Sequence, residues 1–162
     1  MFDDLIAANE VYQSEFHDSE VTGKAAKGLA VVTCIDSRID PLAMLGLRPG
    51  DAKIIRNAGA RVTDDALRSL ILATNLLGVH RVCVVQHTDC AMAGSSEAAM
   101  QAKVGAARGE DAGGWQFLAM EDQHAALRAD VERIEGCDLI AEGVEVGAFV
   151  FDVHSGALVP VD

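Results

Sequence analysis

Four apolar segments of the chain have the length and composition of β-strands. Three are nearly continuous runs: GLAVVTC at 28–34, AKIIRN at 52–57 and RVCVVQ at 81–86. The fourth, VEVGAFVFDVHSGALVPVD at 144–162, predicts a strand, a Ser-Gly turn and a short final strand. Continuous apolar runs are typical of parallel sheets that are covered on both faces, so we expect a mainly parallel sheet.

Several segments around these strands have apolar residues at helical spacing. Residues 1–16 place apolar side chains among acids and predict a helical arm; these side chains are Leu5, Ile6, Ala8 and Phe16. Thr63 can cap a helix that continues to Leu77 and ends at Gly78. Residues 117–136 predict a long amphipathic helix ended by Gly136, and the polar stretch 105–114 predicts a loop.

Strands that alternate with helices predict an α/β fold, a mostly parallel β-sheet flanked by helices with an N-terminal helical arm. We find no internal repeat, no low-complexity tract and no linker long enough to separate domains. We therefore expect a single domain over 1–162, with the arm occupying 1–20.

The composition and net charge of the chain limit the kinds of molecule that we expect it to bind. The chain has 162 residues, half of them hydrophobic, and a formal net charge of −12, which disfavours nucleic acid and anionic membrane surfaces. No apolar stretch reaches the roughly 20 residues of a membrane span, and the N-terminus lacks the basic start of a signal peptide. Four cysteines in such a chain favour thiols or metal ligands over a disulfide framework, so we expect a cytoplasmic protein.

Metal-ligating side chains follow two of the predicted strands. Cys34 ends one strand, and His87 and Cys90 follow another. The carboxyl ends of parallel strands meet at one edge of a sheet, and zinc accepts thiolate and imidazole ligands. Three such ligands would leave the open position of a catalytic zinc site. The alternative is that Cys34 is a small buried side chain and His87 an ordinary turn residue.

Asp36 and Arg38 favour the zinc interpretation. Asp36 lies two positions after Cys34, close enough to reach a metal or its ligand, and Arg38 can hold that carboxylate in a charge-assisted pair. Other cysteine chemistries fit less well. A cysteine phosphatase loop needs an arginine where Asp40 stands, and the sequence contains no Cys-x-x-Cys pair. Cys83 is expected in the core, and Cys137 is expected to be structural or exposed.

Several motifs together resemble the β-class carbonic anhydrases, in particular the short, actinobacterial-type members. The motifs are CIDSRIDP at 34–41, RNAGA at 56–60, HTDC at 87–90 and GAFVFDVHSGAL at 147–158. The resemblance implies one zinc ion per chain on Cys34, His87 and Cys90, with Asp36 and Arg38 as an active-site dyad. It also implies reversible hydration of carbon dioxide to bicarbonate by a zinc-bound hydroxide. The assembly it implies is a homodimer or larger homo-oligomer with active sites near the subunit interface.

Two positions depart from the family pattern. Ala91 stands where the family usually has glycine, and Gln13 is only a weak counterpart of a glutamine that binds substrate oxygen in some members. Two alternatives therefore stay open: a carbonyl sulfide or carbon disulfide hydrolase on the same zinc site, and a non-catalytic zinc-binding dimer. Residue type alone offers four candidates for proton export: His17, His80, His124 and His154.

Overall fold

The computed structural model describes residues 1–161 and contains one five-stranded sheet in the order β2-β1-β3-β4-β5. The first four of these strands run parallel, and β5 pairs antiparallel with β4. The strands are β1 Leu29–Cys34, β2 Ala52–Asn57, β3 Arg81–His87, β4 Glu145–Phe151 and β5 Leu158–Val161. The predicted α/β class and the mostly parallel sheet are confirmed. Asp162, the last residue of the predicted domain, lies outside the described residues.

Helices connect and flank these strands. They are α1 Asp3–Ser14, α2 Pro41–Met44, α3 Asp64–Leu76, α4 Glu97–Arg108 and α5 Gln123–Glu135, with a 3-10 turn at Ala58–Ala60. Thr63 begins α3 as predicted, because its hydroxyl oxygen accepts the backbone N–H of Ala66 at 3.2 Å.

Every residue of β1 is buried, because this strand lies inside the sheet with a core on each face. On one face, Val32 and Val84 share a cluster with Leu70 of α3 and with Leu127 and Ile134 of α5. Fully burying a leucine or isoleucine side chain stabilises a fold by about 1.5–3 kcal/mol. On the other face, apolar side chains meet around the end of the strand; they include Val31, Val85, Cys34, Met92, Met100 and Met120. The core thus fixes the carboxyl end of β1.

Two boundaries differ from the sequence prediction. The helix expected over 117–136 begins only at Gln123, because the segment before it pairs with the chain after Cys90: the Met120 N–H donates to the Met92 carbonyl at 2.7 Å. The loop expected over 105–114 is helical as far as Arg108, where α4 ends on Gly109 in the left-handed region at φ +69°. Both errors arise from tertiary contacts that a local pattern does not contain.

The predicted N-terminal arm is helix α1, and none of its residues belongs to either core cluster. None of its residues is buried, and Leu5 and Ile6 each keep 60% of their surface exposed. Among the described residues, no helix is both long enough and apolar enough to cross a membrane.

Candidate metal centre

The three predicted ligands meet at the carboxyl edge of the sheet. Cys34 is the last residue of β1 and His87 the last residue of β3, its neighbour in the sheet, while Cys90 lies in the turn that follows. One ligand atom from each residue lies within 4.8 Å of the other two, and all three residues are buried. Two sulfurs and one imidazole nitrogen form a donor set that suits zinc.

The imidazole of His87 is oriented with one nitrogen free for a metal. Its Nδ1 lies 2.7 Å from the Thr88 carbonyl oxygen, which can only accept, so Nδ1 carries the proton. In the neutral ring Nε2 therefore keeps a free lone pair; it is fully enclosed and has no hydrogen-bond partner within residues 1–161. A buried polar atom without a partner is costly, and a bound cation would satisfy it.

The two sulfurs shift each other's pKa in opposite directions. A hydrogen bond from Cys90 lowers the pKa of Cys34 to about 3, although burial opposes this shift. The same contact, together with burial, raises the pKa of Cys90. A second donor reaches Cys34 from the Gly59 N–H, at 3.4 Å from Sγ. Because the thiolate and not the thiol is the metal ligand, the lowered pKa of Cys34 favours the form that binds a cation.

Gly59 can donate to Cys34 because it has no side chain. Its φ is +77°, in the left-handed region, and a Cβ atom there would lie 3.2 Å from the side chains of Met92 and Met120. The glycine in the RNAGA motif therefore permits the close approach of backbone to sulfur.

Asp36 and Arg38 form a two-pronged ion pair beside the donor set. Arg38 donates from Nε to Oδ1 of Asp36 at 2.9 Å and from Nη2 to Oδ2 at 2.8 Å, and its backbone N–H also donates to Oδ1 at 2.9 Å. The Arg38 side chain, followed by its N–H, holds the pKa of Asp36 below its usual range. Oδ2 of Asp36 lies 3.8 Å from Nε2 of His87, so the ionised carboxylate stands next to the donor set.

Arg56 belongs to the RNAGA motif, but the sequence alone assigned it no functional role. In the structure it holds the main chain between Cys34 and the Asp36–Arg38 pair. Its Nε donates to the carbonyl of Cys34 at 2.8 Å and its Nη2 to the carbonyl of Asp36 at 2.7 Å. The available signal was a charged residue near the end of β2, the strand that pairs with β1. Arginine has five donors, so one side chain can hold two carbonyls.

The site opens into a cavity of about 530 Å³ that is lined by both charged and apolar residues. The apolar ones, called the apolar wall below, are Ile35, Ala58, Ala91 and Met92. Ala91, the departure from the family pattern, is therefore part of the lining. Such a cavity suits a small uncharged molecule better than a highly charged one.

The remaining predicted residues lie elsewhere. Gln13 is exposed on α1 and does not line the cavity, and the exposed residues His17, His80 and His124 do not line it either. His154 is exposed but contacts Asp89 of the turn between His87 and Cys90, a contact that residue type did not predict. Cys83 packs against the core and burial raises its pKa, whereas Cys137 is partly buried.

A mostly parallel sheet with two cysteines and one histidine at its carboxyl edge, beside an Asp–Arg pair, defines the β class of carbonic anhydrases. The chain matches the family model for carbonic anhydrase over residues 29–158 and belongs to that family.

Relatives agree with this assignment. The β-carbonic anhydrase 1 of Mycobacterium tuberculosis is 34% identical over 160 residues, covering 96% of this chain and 94% of the relative. The crystal structure of carbonic anhydrase from Streptococcus mutans superposes with a TM-score of 0.91 at 35% identity, covering 99% of this chain and 97% of the other. A carbon disulfide hydrolase of Saccharolobus solfataricus is 52% identical over 64 residues, which are 40% of this chain and 31% of the relative.

Proposed function

We propose that this chain is a zinc-dependent carbonic anhydrase that interconverts carbon dioxide and bicarbonate, with one zinc ion held by Cys34, His87 and Cys90. The observation that carries the proposal is the unpartnered, enclosed Nε2 of His87, in a residue whose ligand atom lies within 4.8 Å of the sulfurs of Cys34 and Cys90. Family membership supports the reaction, and the donor set supports the metal.

The chain's own residues have distinct tasks around that ion. Zinc, when bound, supplies hydroxide near neutral pH by acidifying water. Asp36 offers a fixed, ionised hydrogen-bond acceptor beside the donor set, and this acceptor can orient a small nucleophile. Arg38 occupies both carboxylate oxygens and so holds Asp36 away from the ligand position.

The cavity wall supports an uncharged, linear substrate. Ile35, Ala58, Ala91 and Met92 offer no strong hydrogen-bonding side chain, so this part of the cavity would accept carbon dioxide through apolar contact alone. The polar lining residues are those of the donor set, the Asp36–Arg38 pair and Ser37.

A second candidate is hydrolysis of carbonyl sulfide or carbon disulfide on the same site. The same apolar wall would accept these linear molecules, and the similarity to a carbon disulfide hydrolase favours keeping this reaction under test. A non-catalytic zinc-binding dimer is less well supported, because a purely structural ion would need neither Asp36 nor Arg38.

The test is a parallel assay of the purified, zinc-loaded chain. Carbon dioxide hydration is followed by the pH change in stopped flow, and sulfide release is followed with carbonyl sulfide and carbon disulfide. We expect rapid hydration that disappears when zinc is chelated and returns when it is restored. Sulfide release without hydration would replace the first candidate by the second, and neither activity with zinc bound would favour the non-catalytic alternative.

We also propose that residues 1–162 form one domain, with 1–20 as an arm, and that this domain assembles as a homodimer or larger homo-oligomer in the cytoplasm. The support for assembly is helix α1, whose apolar side chains are not covered by the rest of the chain over 1–161. A second subunit is the covering surface that this proposal expects.

A further inference from the structure

The turn between β4 and β5 contacts the turn that carries the proposed metal ligands. Nε2 of His154 lies 2.5 Å from Oδ2 of Asp89, which stands between His87 and Cys90 in sequence. An ionised carboxylate can only accept hydrogen bonds, so Nε2 is the donor in this contact. The backbone N–H of His154 donates to Oδ1 of Asp152 at 2.8 Å, and this bond holds the backbone from which the imidazole of His154 extends.

Backbone contacts join the same two turns. The Thr88 N–H donates to the carbonyl of Phe151 at 3.0 Å, and the Val153 N–H donates to the hydroxyl oxygen of Thr88 at 3.1 Å. The His154–Asp89 contact is thus the side-chain part of a larger junction. Of these contacts, it is the one that involves the residue next to Cys90 in sequence, Asp89.

Asp89 connects this junction to the dyad. Its φ is +54°, in the left-handed region that aspartate tolerates better than most residues, and this conformation aims its carbonyl at Arg38. Nη2 of Arg38 donates to that carbonyl at 3.2 Å while it also donates to Oδ2 of Asp36 at 2.8 Å. The orientation of Asp89 therefore bears directly on the geometry of Arg38.

We propose that His154 is a positioning residue for the metal centre. Its hydrogen bond to the Asp89 carboxylate keeps the Asp89 carbonyl within hydrogen-bond distance of Arg38 and holds the turn that carries Cys90 in place. This inference rests on the proposed zinc site. The His154 and Asp89 side chains are 71% and 59% exposed. Exposed ion pairs add little to global stability, so the effect belongs to the local geometry of the site.

The experiment compares His154→Ala with His154→Gln in the full-length, zinc-loaded chain. Glutamine can still donate a hydrogen bond to Asp89 but cannot carry a proton. We measure the rate at which zinc passes to a chromogenic chelator, the melting temperature, and the turnover of carbon dioxide at low and high imidazole concentration. His80→Ala, which changes an exposed histidine directly before β3, at the opposite edge of the sheet, is the matched control.

We expect His154→Ala to release zinc about tenfold faster and to lose turnover, as is typical when a partner behind a metal ligand is removed. His154→Gln and the control should stay near the parent, and the melting temperature should hardly change. In an Asp89→Gly background, which keeps the left-handed backbone but lacks the carboxylate, His154→Ala should have no further effect.

Parental zinc release and turnover in His154→Ala would overturn the inference. So would recovery of turnover by imidazole buffer together with loss in His154→Gln, because His154 would then be a proton carrier. A parent chain that binds no zinc would defeat the proposed metal centre itself, and this inference with it.

Discussion

Asp36 owes its ionisation and its orientation to one neighbour. Arg38 donates three hydrogen bonds to its carboxylate, two from the guanidinium and one from the backbone. Both groups are near solvent, so the pair matters through geometry rather than through stabilisation of the fold. The sequence predicted this pair because its members are two positions apart, whereas Arg56 was missed because its partners are backbone carbonyls at the end of β1 and just beyond it.

Replacing Arg38 tests this geometry. In Arg38→Ala the carboxylate of Asp36 loses its partner and is free to turn toward the cation. We expect turnover to fall about ten- to hundredfold while zinc stays bound. Rates are measured with zinc content determined on the same samples. Arg68→Ala, which removes an exposed pair with Asp65 on α3, is the control and should leave turnover unchanged. Parental turnover in Arg38→Ala with zinc intact would make the dyad structural.

The sequence predicted the strands correctly, but it did not predict the boundaries of the helices between β3 and β4. Apolar runs placed all five strands because each fills a position in the sheet. The segment before α5 is held by the Met120–Met92 backbone contact and by Glu97, the first residue of α4, whose carboxylate accepts the backbone N–H groups of Phe117 and Ala119. A contact spanning about twenty residues leaves no periodic signal in the sequence.

Glu97 predicts a pH dependence of stability. The N–H groups of Phe117 and Ala119 lower its pKa below the ordinary value of 4.5, so the contact stabilises the fold above that pH. The contribution is lost as the pH falls through the lowered pKa of the folded state. We expect Glu97→Gln to melt at a lower temperature than the parent at pH 7, and the gap should close toward pH 3.

Thermal unfolding of both proteins between pH 3 and pH 8 checks this expectation. Glu135→Gln, at an exposed position of α5, serves as the control and should follow the parent at every pH. A gap that stays constant across the pH range would show that ionisation of Glu97 is not its cause.

The topology of the sheet explains why the sequence could predict that Cys34, His87 and Cys90 lie together. It does not determine which residues surround them. Cys34 and His87 end neighbouring parallel strands, so a correct topology brings them together. The cavity wall and the junction at His154 depend on how turns pack, which strand patterns do not specify. The assembly of subunits likewise depends on a second copy of the chain, to which the exposed apolar side chains of helix α1 point.

Removing the arm tests that expectation. Deleting residues 1–18 should shift the chain toward the monomer at micromolar concentration, because Leu5, Ile6 and Phe16 no longer supply apolar contact area. Zinc content should change less than association. Light scattering measures the mass, and Asn9→Asp on the same helix is a control that keeps the apolar residues. A full-length chain that is monomeric and fully active would contradict the proposed assembly.

The proposed metal centre is tested most directly by the zinc content of the purified chain and of three cysteine variants, measured by elemental analysis. We predict one zinc ion per chain in the parent and in Cys137→Ser, whose thiol lies outside the donor set. Cys34→Ser and Cys90→Ser should lose the metal and much stability, because each removes a thiolate from a site whose binding energy supports the fold. Full zinc occupancy in both of these variants, or a parent that binds no zinc, would contradict the proposed metal centre.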